Sequence, residues 1–336
     1  MNLAVCLLAY SAAVTVLGPP VLLRLTRAGA APRLGVAVWL AALASVLGAW
    51  LSATGLFLTQ LVDSWGHLGR ALTGCLAGLR LIARGGYGPA VQASLLLVAA
   101  LGGVALIAAG TRTALSLRQS RRHTRAHAQA ARLAAVGTLD SPDGALVIDS
   151  ARPAVYCLAG RPRTIVISRA ALTALDGGQL AAVMAHEQAH LNGRHHLLLT
   201  LTAALARVLP RVRLFVDGHA DIARLLEMCA DDAAARQHSR DTLVDALLAL
   251  TLTPTSSSPT GAPPAPSATR PATRTGTPTG ALAAAGTGVA RRAQRLLFPP
   301  DPTRARLGLT LALAVVLLGP TLATGIAGAV PMPCAL

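Results

Sequence analysis

The 336-residue chain is rich in apolar residues and poor in charge. Hydrophobic residues make up 53% of it, charged residues 13%, and its mean hydropathy is +0.54, values that indicate an integral membrane protein and exclude an ordinary soluble globule. The net charge of +16 comes from arginine without any lysine. Because no aromatic residues interleave with the arginines, contact with membrane lipids is favoured over direct nucleic-acid binding.

Four stretches are free of charge for long enough to cross the roughly 30 Å of membrane hydrocarbon. They predict transmembrane helices at about 2–23, 34–62, 85–111 and from 307 to about 330. The first has no basic residue before Arg24, which favours a retained span over a secretory signal. We therefore expect three spans in 1–111, one domain in 112–305, and a fourth span with a short external tail in 306–336.

Arginines cluster after the first and third predicted spans, at 24–33 and 112–125. Cytoplasmic loops carry such a basic excess. The pattern predicts a multi-pass protein of the cell membrane with both termini outside and 112–305 in the cytoplasm. Residues 63–84, between spans two and three, are expected to form an amphipathic helix on the outer surface.

The predicted domain begins with β structure and continues as helices. An apolar stretch at 145–148 precedes strands at 153–158 and 164–168, which form a β-hairpin around a turn at 160–162. The hairpin either holds an extended substrate along its edge or only covers the core. Helices follow at 177–196, capped by Asp176, at 197–208, where the helix is apolar enough to lie against the membrane, and at 217–236. Residues 254–280 are rich in Pro, Thr and Ser and predict a disordered linker.

The chain contains only two glutamates, and both lie in metal-site patterns. Glu187 belongs to an H-E-x-x-H sequence, which places His186 and His190 on one helical face. Glu227 precedes Asp231 by one helical turn. Zinc accepts two imidazoles and a carboxylate and keeps a position for water. The pattern predicts Zn²⁺ on His186, His190 and Glu227, with Glu187 as the catalytic base and Asp231 orienting a histidine.

Other polar residues have less definite roles. His195 and His196 follow the motif but project away from the ligand face, so solvent or membrane-interface positions are expected for them. Any one of His219, Arg236 and His238 could supply a donor for the oxyanion of the reaction. The five cysteines are far apart and odd in number, which favours packed thiols over a disulfide framework.

Residues 180–190 and 226–232 resemble the BlaR/MecR-like integral-membrane metallopeptidases, which are gluzincins with HExxH and ExxAD motifs. The resemblance implies a mainly α, four-span membrane protein whose cytoplasmic α+β zincin-type domain contains a small β-hairpin. It also implies regulatory proteolysis of a cytoplasmic winged-helix repressor. Because the predicted domain is tied to the membrane at both ends, membrane-proximal polypeptides, the chain itself included, are expected as further substrates. Only six residues follow Val330, so the penicillin-binding sensor of that family is not expected here.

Two alternatives to regulatory proteolysis remain open. One is a membrane-protein quality-control protease similar to the HtpX-type peptidases, which share the HExxH and ExxAD logic. The other is a zinc-stabilised module that binds a partner without catalysis; it would not need Glu187 as a base.

Overall fold

The computed structural model describes residues 3–71, 145–158, 164–252 and 279–329, together with scattered positions between 103 and 122. The described elements, in chain order, are α1 (Leu3–Thr26), α2 (Pro32–Ala71), β1 (Leu146–Ile148), β2 (Val155–Leu158), β3 (Thr164–Ser168), α3 (Arg169–Ala174), α4 (Gly177–Asn192), α5 (His195–Val208), α6 (Arg213–Ala234), α7 (Arg240–Leu252), α8 (Thr279–Leu297) and α9 (Pro302–Ala329). The chain divides into two compact units. The first comprises 1–120, 199–223 and 301–336, and the second 121–198 and 224–300.

Three helices of the first unit are long and apolar enough to cross a membrane. Their candidate spans are Cys6–Thr26, Pro32–Leu56 and Pro302–Leu322, at the places where the sequence predicts spans one, two and four. Helix α2 continues to Ala71, past the predicted end of span two near residue 62, because Asp63 ends the charge-free stretch without ending the helix. The predicted span at 85–111 and most of the predicted surface helix at 63–84 lie outside the continuously described residues.

Polar side chains link the candidate spans to one another. The Tyr10 hydroxyl of α1 donates to the Val316 carbonyl of α9 at 2.8 Å and lies 3.3 Å from Ser45 Oγ of α2. The Trp50 indole donates to Ser11 Oγ at 3.1 Å. Hydrogen bonds of this kind stabilise helix association where water is absent, as in a bilayer.

The second unit contains a three-stranded sheet in the order β1-β3-β2. Strand β2 pairs antiparallel with β3, with Val155 opposite Ile167, as the predicted hairpin requires. The stretch at 145–148, predicted only as apolar, forms β1 and pairs parallel with β3. Strand β3 is therefore central, which agrees with the burial of the consecutive residues Ile165, Val166 and Ile167.

Helix α4 is packed on two sides within the second unit. Met184 and Leu191 join Ile165 and Ile167 of β3 in one buried cluster. On another side, Ala182 belongs to a cluster with α6, α7 and α8, formed by Ala234, Leu243, Val244 and Leu296. Packing on both sides fixes the rotation of α4 about its axis, and so the direction of the side chains on its remaining face.

Candidate metal centre

Helix α4 has defined ends. The Asp176 side chain accepts from the Gln179 backbone at 2.7 Å, and the Gln179 side chain accepts from the Asp176 backbone at 3.1 Å, so the two residues form a capping box. The helix ends at Asn192, earlier than the predicted residue 196. Gly193 caps it and Arg194 adopts a φ of 49°, which turns the chain into α5 at His195.

Three side chains from α4 and α6 converge. His186 Nε2 lies 3.1 Å from His190 Nε2, and each nitrogen lies 3.5 Å from an oxygen of Glu227. Two atoms that each lie about 2.1 Å from a tetrahedral zinc ion are about 3.4 Å apart. The spacing of these three groups therefore fits a zinc ion before any side chain moves, and their donor set of two imidazoles and one carboxylate is one that zinc prefers.

The other ring nitrogen of each histidine has a polar partner of its own. His186 Nδ1 lies 3.0 Å from Asp231 Oδ1, and His190 Nδ1 lies 2.9 Å from His195 Nδ1. A metal on Nε2 requires a lone pair there, so Nδ1 carries the proton and donates it to the partner. Both contacts aim the Nε2 atoms at the shared space beside Glu227.

The expectation that His195 faces solvent or the membrane interface is wrong. His195 is buried, and its ring stands nearly perpendicular to that of His190, with 4.7 Å between centroids. The prediction extended α4 as a straight helix through residue 196. The turn at Gly193 and Arg194 instead brings His195 back against the ligand face.

Arg292 of α8 is a site residue that the sequence analysis missed. Its guanidinium donates to both oxygens of Asp231, at 2.6 and 2.8 Å, and lies 3.0 Å from Glu227 Oε2. A neighbouring pair of the same kind joins Arg295 to Asp232 at 2.8 and 2.9 Å. Adjacent aspartates at 231 and 232 and arginines three residues apart at 292 and 295 share no common spacing, and 61 residues separate Arg292 from Asp231, so the sequence gives no local signal of this contact.

Charge compensation determines the protonation of this cluster. Burial by itself raises the pKa of Asp231, but hydrogen bonds from Arg292 and His186 lower it to about 2. Burial also raises the pKa of Glu227, and His186 and Arg292 reverse that shift. Burial lowers the pKa of His186, whereas Asp231 and Glu227 raise it to about 9. Burial lowers the pKa of His190 to about 4. The carboxylates are thus ionised and His190 is neutral, as ligation of a cation requires, whereas His186 is protonated at neutral pH and must lose a proton to ligate.

Glu187 lies next to the cluster and has a different environment. Burial raises its pKa, while the charge of His186 and hydrogen bonds from the thiol and backbone of Cys157 oppose the shift. Cys157 belongs to β2, and burial together with the Glu187 charge raises the pKa of its thiol to about 12. The thiol is therefore neutral, and the contact places strand β2 beside the Glu187 carboxylate.

The three candidate oxyanion donors make contacts elsewhere. His219 Nδ1 lies 3.0 Å from Thr202 Oγ1 within the first unit. The Arg236 guanidinium donates to the Asp232 carbonyl at 3.0 Å. His238 lines a cavity of about 410 Å³ with Gln188 of α4. Gln188 lies about 200° around the helix from His186, on the side opposite the ligand face.

An H-E-x-x-H helix with a convergent third carboxylate, packed against a small sheet, defines a metallopeptidase-type centre. The model of Peptidase family M48 matches residues 119–217, a segment that includes β1 to β3 and the whole of α4. The match covers less than half of the chain and ends before Glu227. It supports a membrane-type zinc metallopeptidase and leaves the BlaR/MecR-like subfamily as a prediction. Neither the curated proteins nor the solved structures contain a match to the chain.

Proposed function

We propose that the chain is a zinc-dependent endopeptidase of the cell membrane, with His186, His190 and Glu227 as the zinc ligands. The observation that carries the proposal is the convergence of these three ligand atoms within 4.8 Å of one another. Zinc at such a site lowers the pKa of bound water and polarises a peptide carbonyl. The M48 match over the same helix supports the assignment.

Glu187 is the proposed catalytic base. It follows His186 directly, and adjacent helical residues diverge by about 100°, so its carboxylate lies beside the ligands rather than among them. Burial raises its pKa, which makes the carboxylate a better proton acceptor, as a general base requires. Glu187 would accept a proton from the attacking water and deliver it to the leaving amine.

Asp231, His195 and Arg292 are proposed as residues that position the ligands. Asp231 and His195 hold the two imidazoles in the tautomer that ligation needs. Arg292 binds Asp231 and Glu227 together and keeps both ionised.

Strand β2 is the proposed docking edge for substrate. It lies at one side of the sheet and pairs only with β3 among the described strands. Cys157 of β2 contacts Glu187, so an extended peptide added along this edge would pass close to the proposed base. Main-chain hydrogen bonding of this kind accepts many sequences, which agrees with a protease that recognises exposed, extended segments.

The substrate is proposed to be a polypeptide at the inner membrane surface. The arginine clusters favour a cytoplasmic position for the second unit, and its attachment to apolar helices favours substrates held near the bilayer. Cleavage of a winged-helix repressor is the proposal that follows from the BlaR/MecR resemblance, and cleavage of the chain's own 254–280 segment is a second. Membrane-protein quality control is the competing role for the same chemistry.

The proposal is tested with purified protein in detergent micelles and an unfolded substrate such as casein. We expect the wild type to cleave it when zinc is supplied, Glu187→Gln to bind zinc without cleaving, and His186→Ala to lose both properties. Gln188→Ala, on the opposite face of the same helix, is the matched control and should keep both. Equal cleavage by wild type and Glu187→Gln would refute the enzyme assignment. Zinc binding without cleavage by the wild type would favour the non-catalytic module.

A further inference from the structure

Residues 199–223, from the second turn of α5 to the middle of α6, belong to the same compact unit as the candidate membrane spans. They consist of two helical segments joined at 209–212, and a contact of 3.0 Å between Thr202 Oγ1 and His219 Nδ1 links the two. We call residues 199–223 the helical hairpin. The proposed H-E-x-x-H chemistry does not use the helical hairpin, so that chemistry does not explain why the hairpin packs among the apolar spans.

The buried carboxylate of Asp221 accepts hydrogen bonds that link the hairpin to the first two spans. Asp221 accepts a hydrogen bond from Thr26 Oγ1 of α1 at 2.6 Å and from the Trp39 indole of α2 at 2.8 Å. Asp221 is only 5% exposed. Beside it, Gly218 faces the Trp39 ring so closely that a methyl group there would lie 3.1 Å from the ring.

The hairpin continues along α1 beyond this point. Leu214 packs beside Gly18, and Phe215 lies 6.0 Å from the Trp50 ring of α2. From Thr26 to Gly18 is about 12 Å along α1, and from Asp221 to Leu214 is about 10 Å along α6, at 1.5 Å per residue. If α1 crosses a hydrocarbon layer of about 30 Å, Leu214 lies almost halfway through it.

Two features of the hairpin favour burial in lipid. The tip of the hairpin comprises residues 207–213. Two backbone N–H groups there donate within the chain, from Leu209 to the Leu205 carbonyl and from Val212 to the Leu209 carbonyl. Its outward side chains include Leu201 and Val216, which are 42% and 38% exposed. These apolar groups would contact acyl chains, in continuity with the exposed leucines of α1.

The tip carries charge. Arg207, Arg211 and Arg213 are exposed, and Arg213 lies 3.3 Å from Asp217. Arginine inside a membrane is tolerated where it draws water and lipid phosphates toward itself and thins the bilayer locally. We infer that the hairpin is a re-entrant membrane element, pinned to the spans by Asp221, whose arginine tip binds phospholipid phosphates and hydrates the bilayer around it. This inference goes beyond the peptidase assignment and rests on the membrane location of α1.

The test uses single cysteines in a chain whose five native cysteines are replaced by alanine. Nitroxide labels are placed at Val216, Leu201 and Arg211, with Leu17 of α1 as the membrane reference and Leu248 of α7, which is 39% exposed, as the aqueous reference. The protein is reconstituted in phosphatidylcholine and phosphatidylglycerol vesicles. Collision rates with oxygen, which concentrates in hydrocarbon, and with a water-soluble nickel chelate are then measured.

We expect the oxygen-to-nickel ratio at Val216 and Leu201 to match that at Leu17 and to exceed that at Leu248. At Arg211 the nickel collision rate should exceed the rate at Leu17. A ratio at Val216 equal to that at Leu248 would overturn the re-entrant hairpin, and a label at Arg211 as dry as Leu17 would overturn the hydrated tip. A water-exposed Leu17 would remove the span and the inference with it, without affecting the casein assay.

A second measurement covers the case in which the cysteine-free chain does not fold. A photoreactive benzoylphenylalanine at Val216, in the chain with its native cysteines, should form cross-links to phospholipid in the same vesicles. The same group at Leu248 should not. Equal lipid cross-linking at the two positions would overturn the inference.

Discussion

Replacement of Arg292 by methionine should weaken the zinc-free fold far more than the same change at Arg295. Both arginines lie on α8, and each forms a two-point pair with an aspartate of α6. Both arginine side chains are largely buried, at 17% exposed for Arg292 and 10% for Arg295, so the difference lies in the carboxylate that each substitution would leave behind. The Asp231 side chain is 2% exposed, whereas the Asp232 side chain is 33% exposed. The two variants therefore compare a buried with a partly solvated ion pair on one helix.

The magnitude follows from that difference. Removing one partner of a buried pair leaves an uncompensated charge and costs about 3 kcal/mol or more. Removing one partner of a solvated pair costs about 1 kcal/mol or less. For a folded unit of roughly 150 to 250 residues, 1 kcal/mol corresponds to about 2–4 °C in Tm. We therefore expect Arg292→Met to lower Tm by about 6–12 °C and Arg295→Met by at most about 4 °C.

Thermal unfolding in detergent, with a chelator present, can be followed by a thiol-reactive dye. The thiol of Cys229, in the second unit, is buried and becomes reactive when that unit opens. Arg292→Lys keeps the charge but not the two-point geometry, so its Tm should lie between those of wild type and Arg292→Met. Equal losses in Arg292→Met and Arg295→Met would refute the argument from burial.

Three further predictions test other parts of the structure. In the zinc-free protein the pKa of His186 is raised from 6.5 to about 9, so its protonated ring stabilises the fold. This contribution is fully present below pH 6.5 and is lost as the pH rises through 9. Zinc must displace that proton, so zinc affinity, measured by competitive titration with a chelator, should rise about tenfold per pH unit from about 7 to 9. An affinity that stops rising at about pH 7 would contradict the assignment of His186 as a ligand. His195→Phe should weaken zinc binding about 10- to 100-fold in that titration. His195→Asn should weaken it by less, because the asparagine carbonyl oxygen can still accept a hydrogen bond from the His190 Nδ1–H group; unchanged affinity in His195→Phe would remove its positioning role. Gly319→Ala should lower Tm, because the new methyl group would overlap the Tyr10 ring, which two hydrogen-bond partners hold in place. Gly48→Ala should not lower Tm, because the space around Gly48 is open. Equal Tm values for these two variants would show that α1 and α9 do not pack through Tyr10.

Features governed by local sequence could be predicted. Helical spacing alone indicated that His186 and His190 share a face, and the structure places their Nε2 atoms 3.1 Å apart. The Asp176 cap and the hairpin of β2 and β3 also follow from short-range signals. The apolar spans near 2–23, 34–62 and 307–330 follow from uninterrupted hydropathy, which needs no knowledge of tertiary contacts.

Features governed by long-range packing could not be predicted. The parallel pairing of β1 with β3 depends on which strand the tertiary structure places in the centre of the sheet. His195 depends on a turn at Arg194, a residue type that rarely adopts positive φ. Arg292 reaches Asp231 across a low-complexity segment, so no periodicity in the sequence connects the two residues.

The position of Arg292 in the chain has a consequence for any cut in residues 253–278. Such a cut would leave the candidate metal ligands His186 and His190 and the Arg292 side chain on separate polypeptides. The two pieces would then be joined by the packing of Leu296 against Ala234, Leu243 and Val244, and by the bond from Arg240 to the Leu296 carbonyl. Each piece would keep an apolar helix long enough to hold it in a bilayer. Self-cleavage there would produce a split enzyme made of two separate pieces. Its activity would depend on the density of the two pieces in the membrane and would decrease as growth of the membrane dilutes them.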